Sequence, residues 1–126
     1  MVVKINGTIG HGDGYGEKLG FPTANLDRRS WSHLKKKPTL GIHAGRASVG
    51  KNQKKYKAAI VVGPMDDKGL PKIEAYLLGF TGNLYGVKCE LSFIKYLRKF
   101  MSFTDTKSLK KQIARDVVQV KSLINL

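Results

Sequence analysis

The stretch from Ile42 to Val62, IHAGRASVGKNQKKYKAAIVV, decides the fold class of this 126-residue chain. Within it, the runs Ile42 to Val49 and Tyr56 to Val62 alternate apolar and polar residues, as half-buried β-strands do. Between the two runs lies a turn signal, Gly50-Lys51-Asn52. The stretch is therefore predicted to form two β-strands joined by a turn.

The same alternation recurs on both sides of this stretch. It predicts three more strands, at Val2 to Ile9, Lys72 to Phe80 and Val87 to Ile94. Turn signals separate the strands, and no long helical pattern stands between neighbouring ones, which argues against βαβ units and a parallel sheet. The pattern predicts an antiparallel barrel or sandwich.

Near the C-terminus the period of the apolar residues changes to three and four. These residues fall on one face of a helix: Leu109, Ile113, Val117, Val120 and Ile124. Thr104, Asp105 and Thr106 precede them and are good N-cap residues. We predict one amphipathic helix of about five turns packed on the strands.

The segment Asp27 to Leu40 shows no period. It carries Arg28-Arg29 and Lys35-Lys36-Lys37, and it is predicted to be a mobile surface loop. No internal repeat, linker or low-complexity tract interrupts the chain, so one domain is expected over residues 1–126.

Composition narrows the possible function classes. A chain of 126 residues is too short for a multi-domain enzyme with several activities. No stretch approaches the roughly 20 apolar residues of a membrane span, and the first residues lack the apolar region of a signal peptide. A single cysteine, Cys89, excludes an internal disulfide. We therefore expect a cytoplasmic protein without membrane contact.

The net charge of +14 suggests an anionic partner. Eighteen of the 23 cationic residues are lysines, spread along the chain, whereas bidentate recognition of phosphates and bases favours arginine. Two interpretations stay open: a solvated, lysine-rich surface, or a field that steers a phosphate-bearing substrate. No specific nucleic acid is expected.

Five glycines stand within the eleven residues from Gly10 to Gly20. Such a loop suits a close approach of bare amides to phosphate oxygens, and a glycine-rich hairpin turn is the alternative. Neither the spacing of a P-loop nor the βαβ context of a dinucleotide fold is present. After the loop, Thr23 and Asn25 lie two residues apart, hence on one side of an extended segment. Their neutral oxygens suit a magnesium ion that also binds nucleotide phosphates.

At GYGEKLGFPTAN, residues 14–25, the sequence resembles the riboflavin kinase family, the flavokinases that phosphorylate riboflavin to FMN. The resemblance continues in order through most of the chain. Its further parts are the segments Gly41 to Gly45, Ile73 to Phe80, Asn83 to Gly86 and Tyr96 to Arg98, followed by Phe103, Leu109, Gln112, Ile113 and Asp116. It implies a six-stranded antiparallel Greek-key barrel with a C-terminal helix.

The resemblance implies that ATP is the donor of the phosphoryl group and that Mg²⁺ is the cofactor. Thr23 and Asn25 would hold the metal and the nucleotide phosphates. The amides of the glycine-rich loop would cover the phosphates beside Lys18: Gly12, Gly14 and Gly16. ADP would be the product, and the enzyme is expected to be a monomer.

On the acceptor side, the resemblance implies that Glu74 is the general base for the riboflavin 5′-hydroxyl. An ion pair with a lysine is the alternative role for Glu74. Arg98, Phe100 and Phe103 are the implied flavin-binding residues, although core packing would also explain the aromatic ones.

The sequence departs from the family at three places: Val61 to Met65, Tyr76 and Phe100. These departures concern flavin affinity more than phosphoryl transfer. Since the family's second domain has no residues here, FAD synthesis is not expected. Two other functions stay open, a basic barrel that binds RNA and a flavin-binding regulator without kinase activity. The predicted strands lack the alternating aromatic and basic residues of a base-stacking platform.

Overall fold

The structure is a computed structural model that describes residues 2–11 and 20–126. Six strands, a short 3₁₀ helix and one α-helix follow one another along the chain. They are β1 (Val3–Gly10), β2 (Ala24–Leu26), the 3₁₀ helix (Arg29–His33), β3 (Gly41–Val49), β4 (Lys54–Met65), β5 (Pro71–Leu77), β6 (Lys88–Arg98) and α1 (Thr106–Leu123).

The six strands close into a barrel in the order β1-β2-β5-β4-β3-β6, and every neighbouring pair is antiparallel. Strands β3, β4 and β5 follow one another around the barrel, and β6 returns to lie beside β3, which is the Greek-key arrangement. The expected antiparallel barrel with a C-terminal helix is confirmed.

The alternation of the strands produces the core. In β5 every second residue is buried, from Pro71 to Leu77, while Lys72, Glu74 and Tyr76 lie on the outer face with partial exposure. The largest inward side chains, such as Ile60 and Leu91, are at most 1% exposed. One face of each strand therefore fills the barrel, and the other carries the polar side chains.

The segment 27–40 is more ordered than predicted. It contains the 3₁₀ helix, whose Trp31 is only 3% exposed and packs in the barrel core. Arg28 also forms a 2.9 Å ion pair with Asp66. The prediction of a mobile loop over this whole segment was wrong, because one buried aromatic anchors a segment too short to show a period.

Helix α1 begins at the predicted cap, where the side chain of Asp105 accepts a 2.7 Å hydrogen bond from the amide of Ser108. Val120 and Ile124 pack against Ala44 on the outside of the barrel. At its other end, Lys57 Nζ donates to the Lys121 carbonyl and Arg46 Nη1 to the Asn125 carbonyl, at 2.9 and 2.7 Å. These strand cations complement the negative end of the helix dipole.

Gly45 lets β6 pass close to β3. A Cβ at this position would collide with the backbone carbonyl of Ser92 and would lie 2.8 Å from Ile60 Cδ1. The register of the two strands also shifts between Ala44 and Gly45.

No helix within residues 2–11 and 20–126 is long and apolar enough to cross a membrane.

Candidate active site

The barrel register aligns the predicted site residues in one row. Asn25 of β2 pairs with Glu74 of β5, and Glu74 pairs with Val61 of β4. Val61 pairs with Ile42 of β3, and Ile42 pairs with Arg98 of β6. Neighbouring strands lie about 4.8 Å apart, so Arg98 is about 14 Å from Glu74 along the sheet. Three predicted site residues thus share one level of the barrel: Asn25 for the metal, Glu74 as the general base and Arg98 for the flavin.

Glu74 is the centre of a polar cluster on the outer face. Its Oε2 accepts a 2.8 Å hydrogen bond from the Thr23 hydroxyl, and Lys72 Nζ lies 2.5 Å from its Oε1. The Glu74 side chain is 15% exposed, so solvent and a small substrate can reach it. The ion pair that the sequence left open is present, and its partner is Lys72 on the same strand.

The oxygens around Glu74 suit a hard cation. The Thr23 hydroxyl donates its proton to the hydrogen bond with Glu74. The lone pairs of the Thr23 oxygen therefore stay available to a cation. Asn25 stands directly opposite Glu74 in the register, so its amide oxygen belongs to the same face. Within the described ranges, no cluster of three or more His, Cys, Asp or Glu side chains could hold a metal. This donor set fits Mg²⁺, which keeps waters and phosphate oxygens as its other ligands.

A cavity of about 660 Å³ opens beside this cluster. The segments 9–11, 22–25 and 80–85 line it, together with Ala75 and Leu77 of β5. Its size lies within the range of small-molecule sites. Since Thr23 and Asn25 belong to its wall, a ligand in the cavity would extend directly to the Glu74 cluster.

Two aromatic rings mark one wall of the cavity. His11 and Tyr85 stack with their ring centroids 3.9 Å apart and an angle of 19° between the planes. The side chain of Asn83 accepts a 2.8 Å hydrogen bond from the Tyr85 amide, which orders this turn. Gly12, Gly14, Gly16 and Lys18, predicted to bind the nucleotide, lie outside the described residues.

Arg98 is held by a buried carboxylate. Its Nε and Nη2 donate to the two carboxylate oxygens of Asp116 on α1, at 2.9 and 2.7 Å. Its Nη1 donates to the Lys99 carbonyl at 3.2 Å, and Gln112 Nε2 donates to Asp116 at 3.1 Å. The Arg98 and Asp116 side chains are 18% and 5% exposed. In this geometry Arg98 joins the end of β6 to α1.

Apolar side chains cluster where β3 begins and β4 and β6 end. Tyr96 and Phe100 are each 42% exposed and Leu40 is 37% exposed. A Cβ on Gly63, whose φ is +105°, would lie 3.1 Å from the Phe100 ring and 3.4 Å from Leu40. Phe103 is partly buried in the loop that leads to α1. This cluster, Leu40, Tyr96 and Phe100, is named the aromatic rim.

His43 lies behind the rim. It is 4% exposed, and its ring packs edge-on against Phe93 and Tyr96. Its Nε2 lies 2.6 Å from the Thr39 carbonyl, and because a carbonyl only accepts, this nitrogen carries the proton. Burial lowers the pKa of His43, and the hydrogen bond to Thr39 opposes that shift. His43 is thus a structural histidine.

Sequence reasoning missed the stacked pair of His11 and Tyr85 at the cavity. The sequence shows no metal-ligand spacing around His11 and gives no other sign that this residue lies at a site. Tyr85 belongs to the turn 83–86. The resemblance of this turn to the family was the sequence signal that could have indicated its place at the site. The ion pair of Arg98 with Asp116 was also missed, since 18 residues separate its partners.

Comparisons with known proteins show which family the chain belongs to. The sequence profile of the flavokinase family, the riboflavin kinases, matches residues 1–124, so the chain is a member of this family. The family generally uses a divalent metal ion. Family membership agrees with the closed barrel and its C-terminal helix.

Over the aligned part, curated relatives are about one third identical to the chain. The bifunctional riboflavin kinase/FMN adenylyltransferase of Buchnera aphidicola is 33% identical over an alignment of 127 positions, which covers 98% of this chain and 39% of that protein. The RNA-binding riboflavin kinase RibR of Bacillus subtilis is 34% identical over 114 residues, 90% of this chain and 47% of that protein. The chain thus spans less than half of each relative.

Solved structures share the fold. The riboflavin kinase of Trypanosoma brucei superposes with a TM-score of 0.71 at 26% identity, over 95% of this chain and 78% of that one. A Streptococcus pneumoniae structure described as a macrolide-efflux protein gives a TM-score of 0.80 over 98% of this chain and 40% of that one. At 23% identity, the second likeness concerns the fold alone.

Proposed function

We propose that this chain is a riboflavin kinase, which transfers the γ-phosphoryl group of ATP to the 5′-hydroxyl of riboflavin and releases FMN and ADP. The proposal rests on the contacts of Glu74: Asn25 pairs with it in the register, the Thr23 hydroxyl donates to it, and Thr23 and Asn25 line the cavity. The reacting groups would meet at this row, with the donor on the cavity side of Glu74 and the acceptor on the Arg98 side.

The donor nucleotide would occupy the cavity. Ile9, Leu77 and Phe80 supply apolar surface for a nucleobase, and His11 and Tyr85 present stacked rings at its edge. The triphosphate would then run past Thr23 towards Glu74. Gly12, Gly14, Gly16 and Lys18 remain our proposed phosphate contacts from the glycine-rich loop.

Thr23 and Asn25 would hold Mg²⁺ through neutral oxygens, consistent with the donor set beside Glu74. When bound, the ion supplies positive charge to the phosphate oxygens in the transition state. The hydrogen bond from Thr23 to Glu74 has a second effect, because it fixes the threonine rotamer with its lone pairs directed away from the carboxylate. The same bond orients Glu74.

Glu74 would act as the general base. It takes the proton of the riboflavin 5′-hydroxyl as the new oxygen–phosphorus bond forms and the bond from the γ-phosphorus to the bridging oxygen of ADP breaks. Lys72 binds the same carboxylate. For the proton transfer, Glu74 Oε1 must release this cation and accept the substrate hydroxyl instead.

The acceptor would lie along the row from Glu74 to Arg98. Val61 and Ile42 separate these residues on two intervening strands, which gives an apolar floor about 14 Å long. The ribityl chain would extend from Glu74 and the flavin ring would lie near Phe100 and Phe103. Since its guanidinium is bound to Asp116, Arg98 would shape this end by fixing α1 and the loop before it.

The test is to incubate the protein with riboflavin, ATP and MgCl₂ and to separate FMN by chromatography. We expect FMN formation that stops when EDTA removes the metal. In Glu74→Gln, kcat should fall by roughly 10²-fold or more, and the KM for riboflavin should change little, because the base acts in the transition state.

Two control variants separate the base from the ion pair. Lys72→Met removes the cation and leaves the carboxylate, so it should retain most of the activity if Glu74 is the base. Glu90→Gln removes a carboxylate that pairs with Lys4 at 3.8 Å on another part of the barrel, and it should retain full activity. Wild-type turnover in Glu74→Gln would exclude the assignment.

The same assay decides the alternative of a flavin-binding regulator. If the wild-type protein binds riboflavin and yields no FMN, the regulator is the correct function and the kinase proposal fails. We further propose that the chain acts as a monomer in the cytoplasm, where Cys89 stays a thiol. Burial raises the pKa of Cys89 to about 12, so this thiol is unreactive.

A further inference from the structure

Helix α1 carries cations on its solvent side that the proposed reaction does not use. Five stand on the helix with one acidic residue, Asp116: Lys107, Lys110, Lys111, Arg115 and Lys121. All five are exposed, whereas Asp116 is buried and bound to Arg98. The outer side of α1, named here the cationic face, therefore carries positive charge alone.

The cations of this face lack carboxylate partners. Within residues 2–11 and 20–126, none of the five lies within ion-pair distance of an acidic side chain. Lys107, Lys111 and Arg115 follow one another at intervals of four residues, so like charges are neighbours on the helix surface. Lys107 also stands in the first turn, where the helix dipole disfavours a cation. An anion bound along the face would reduce the repulsion between the neighbouring cations and the unfavourable interaction of Lys107 with the helix dipole.

Further cations extend this face at the ends of the helix. Lys57 and Arg46 lie beneath its C-terminus, where they bond to backbone carbonyls. Lys95 pairs with Ala44, the residue on which Val120 packs, so Lys95 flanks the helix on β6. Lys107 and Lys121 are 14 residues apart, so the charged stripe is about 21 Å long.

This stripe fits a linear polyanion better than a membrane surface. The apolar residues of α1 that would enter a lipid interface, Val117, Val120 and Ile124, are buried against the barrel. Val118 and Leu123 are exposed on α1, but five positions set them about 140° apart around the helix, so they form no continuous apolar face. Charge complementarity therefore points to a phosphate backbone.

The position of α1 excludes base reading in a major groove. Such reading requires most of a helix to enter a groove about 8.5 Å deep, and α1 lies flat on β3 and β4. Four of the five cations are lysines, which contact phosphates without bidentate base recognition. We propose that the cationic face binds the phosphate backbone of a nucleic acid without sequence preference, a function beyond the kinase reaction.

The test measures fluorescence anisotropy of a labelled single-stranded RNA at several salt concentrations. The variant Lys107→Gln/Lys111→Gln/Arg115→Gln removes three cations from the stripe. The control Lys4→Gln/Lys68→Gln/Lys88→Gln removes the same charge from exposed positions on β1, the turn after β4 and the start of β6. The two variants have equal net charge, so a difference between them reports the position of the charges.

We expect wild-type binding that weakens steeply as salt rises. Each lysine–phosphate contact adds about 0.7 to the salt slope for a single strand, so the stripe variant should lose about 2 from the slope and about a hundredfold in affinity at 0.1 M salt. The affinity of the control variant should fall by less than about tenfold at the same salt concentration. FMN formation by both variants should equal that of the wild type, which separates this test from that of the kinase.

Three results would overturn the proposal. Equal weakening in both variants would show that net charge alone attracts RNA. Binding that depends strongly on the RNA sequence would contradict the argument from the position of α1. Binding of vesicles that contain anionic lipid, with no binding of RNA, would make the cationic face a membrane contact.

Discussion

Removing the carboxylate of Asp116 should destabilise the protein more than any other loss of a single ion pair described above. Asp116→Ala deletes the two carboxylate oxygens that accept hydrogen bonds from Arg98 and the hydrogen bond from Gln112. The Asp116 side chain is 5% exposed. Breaking a buried pair from one side costs about 3–5 kcal/mol. Because Arg98 is 18% exposed, water can solvate part of the guanidinium, and we expect a loss of about 2–3 kcal/mol.

The loss is measurable by urea or thermal unfolding followed by circular dichroism. At about 2.1 cal/mol/K per residue, 126 residues give an unfolding entropy of about 0.26 kcal/mol/K, so the Tm should fall by about 8–12 °C. Asp67→Ala, at an exposed position in the turn after β4, should change the stability by less than about 0.5 kcal/mol. A similarly small change in Asp116→Ala would refute the reasoning.

The kinetic constants separate two functions of the Arg98–Asp116 ion pair, stabilising the fold and positioning the acceptor. The N-terminal half of α1 is mostly exposed, and Arg98 with Asp116 and Gln112 is its main polar attachment to the barrel. The KM for riboflavin should therefore rise in Asp116→Ala more than kcat falls. The double variant Arg98→Met/Asp116→Leu, which buries no unpaired charge, should regain stability. It should keep the raised KM if the polar geometry positions the acceptor.

Two further predictions concern single side chains. Thr23→Val is nearly isosteric, and we expect it to lower kcat more than a hundredfold with an unchanged circular dichroism spectrum, because it removes an oxygen beside Glu74 that suits the metal; normal turnover would exclude Thr23 as a ligand. For His43, burial holds the folded-state pKa below the ordinary value of 6.5, so the unfolded chain takes up the proton first and stability is lost as the pH falls below about 6.5. His43→Gln should flatten the dependence of unfolding free energy on pH between 7.5 and 5, and an unchanged slope would contradict this.

Local patterns predict the strands of this barrel well because each has one buried face. The alternation indicated Ile42 to Val49, and β3 is Gly41–Val49. The strand predicted at Tyr56 to Val62 extends further, to Lys54–Met65, because its ends carry Lys54, Lys55 and the Gly63-Pro64 pair, which interrupt the alternation. The helix likewise begins directly after its predicted cap at Asp105.

Contacts that join distant segments could not be predicted from such patterns. Strand β2 has three residues, too few for a period, and it pairs with β5 about fifty positions further along the chain. Trp31 stands with Leu34 and Leu40 in an otherwise polar segment without a period, and no local signal indicates that the barrel receives Trp31. The family resemblance supplied the positions of Thr23, Asn25 and Glu74, while their contacts required the closed barrel.

Closure of the barrel is what places the proposed catalytic residues side by side. Thr23 and Glu74 are 51 residues apart, and their hydrogen bond exists because β2 lies between β1 and β5. The two pairs that connect β2 to β1 and the two that connect it to β5 are the described register of this short strand. The site therefore depends on the least extensive strand of the barrel, and a change that weakens the pairing of β2 should reduce activity before it unfolds the longer strands β3, β4 and β6.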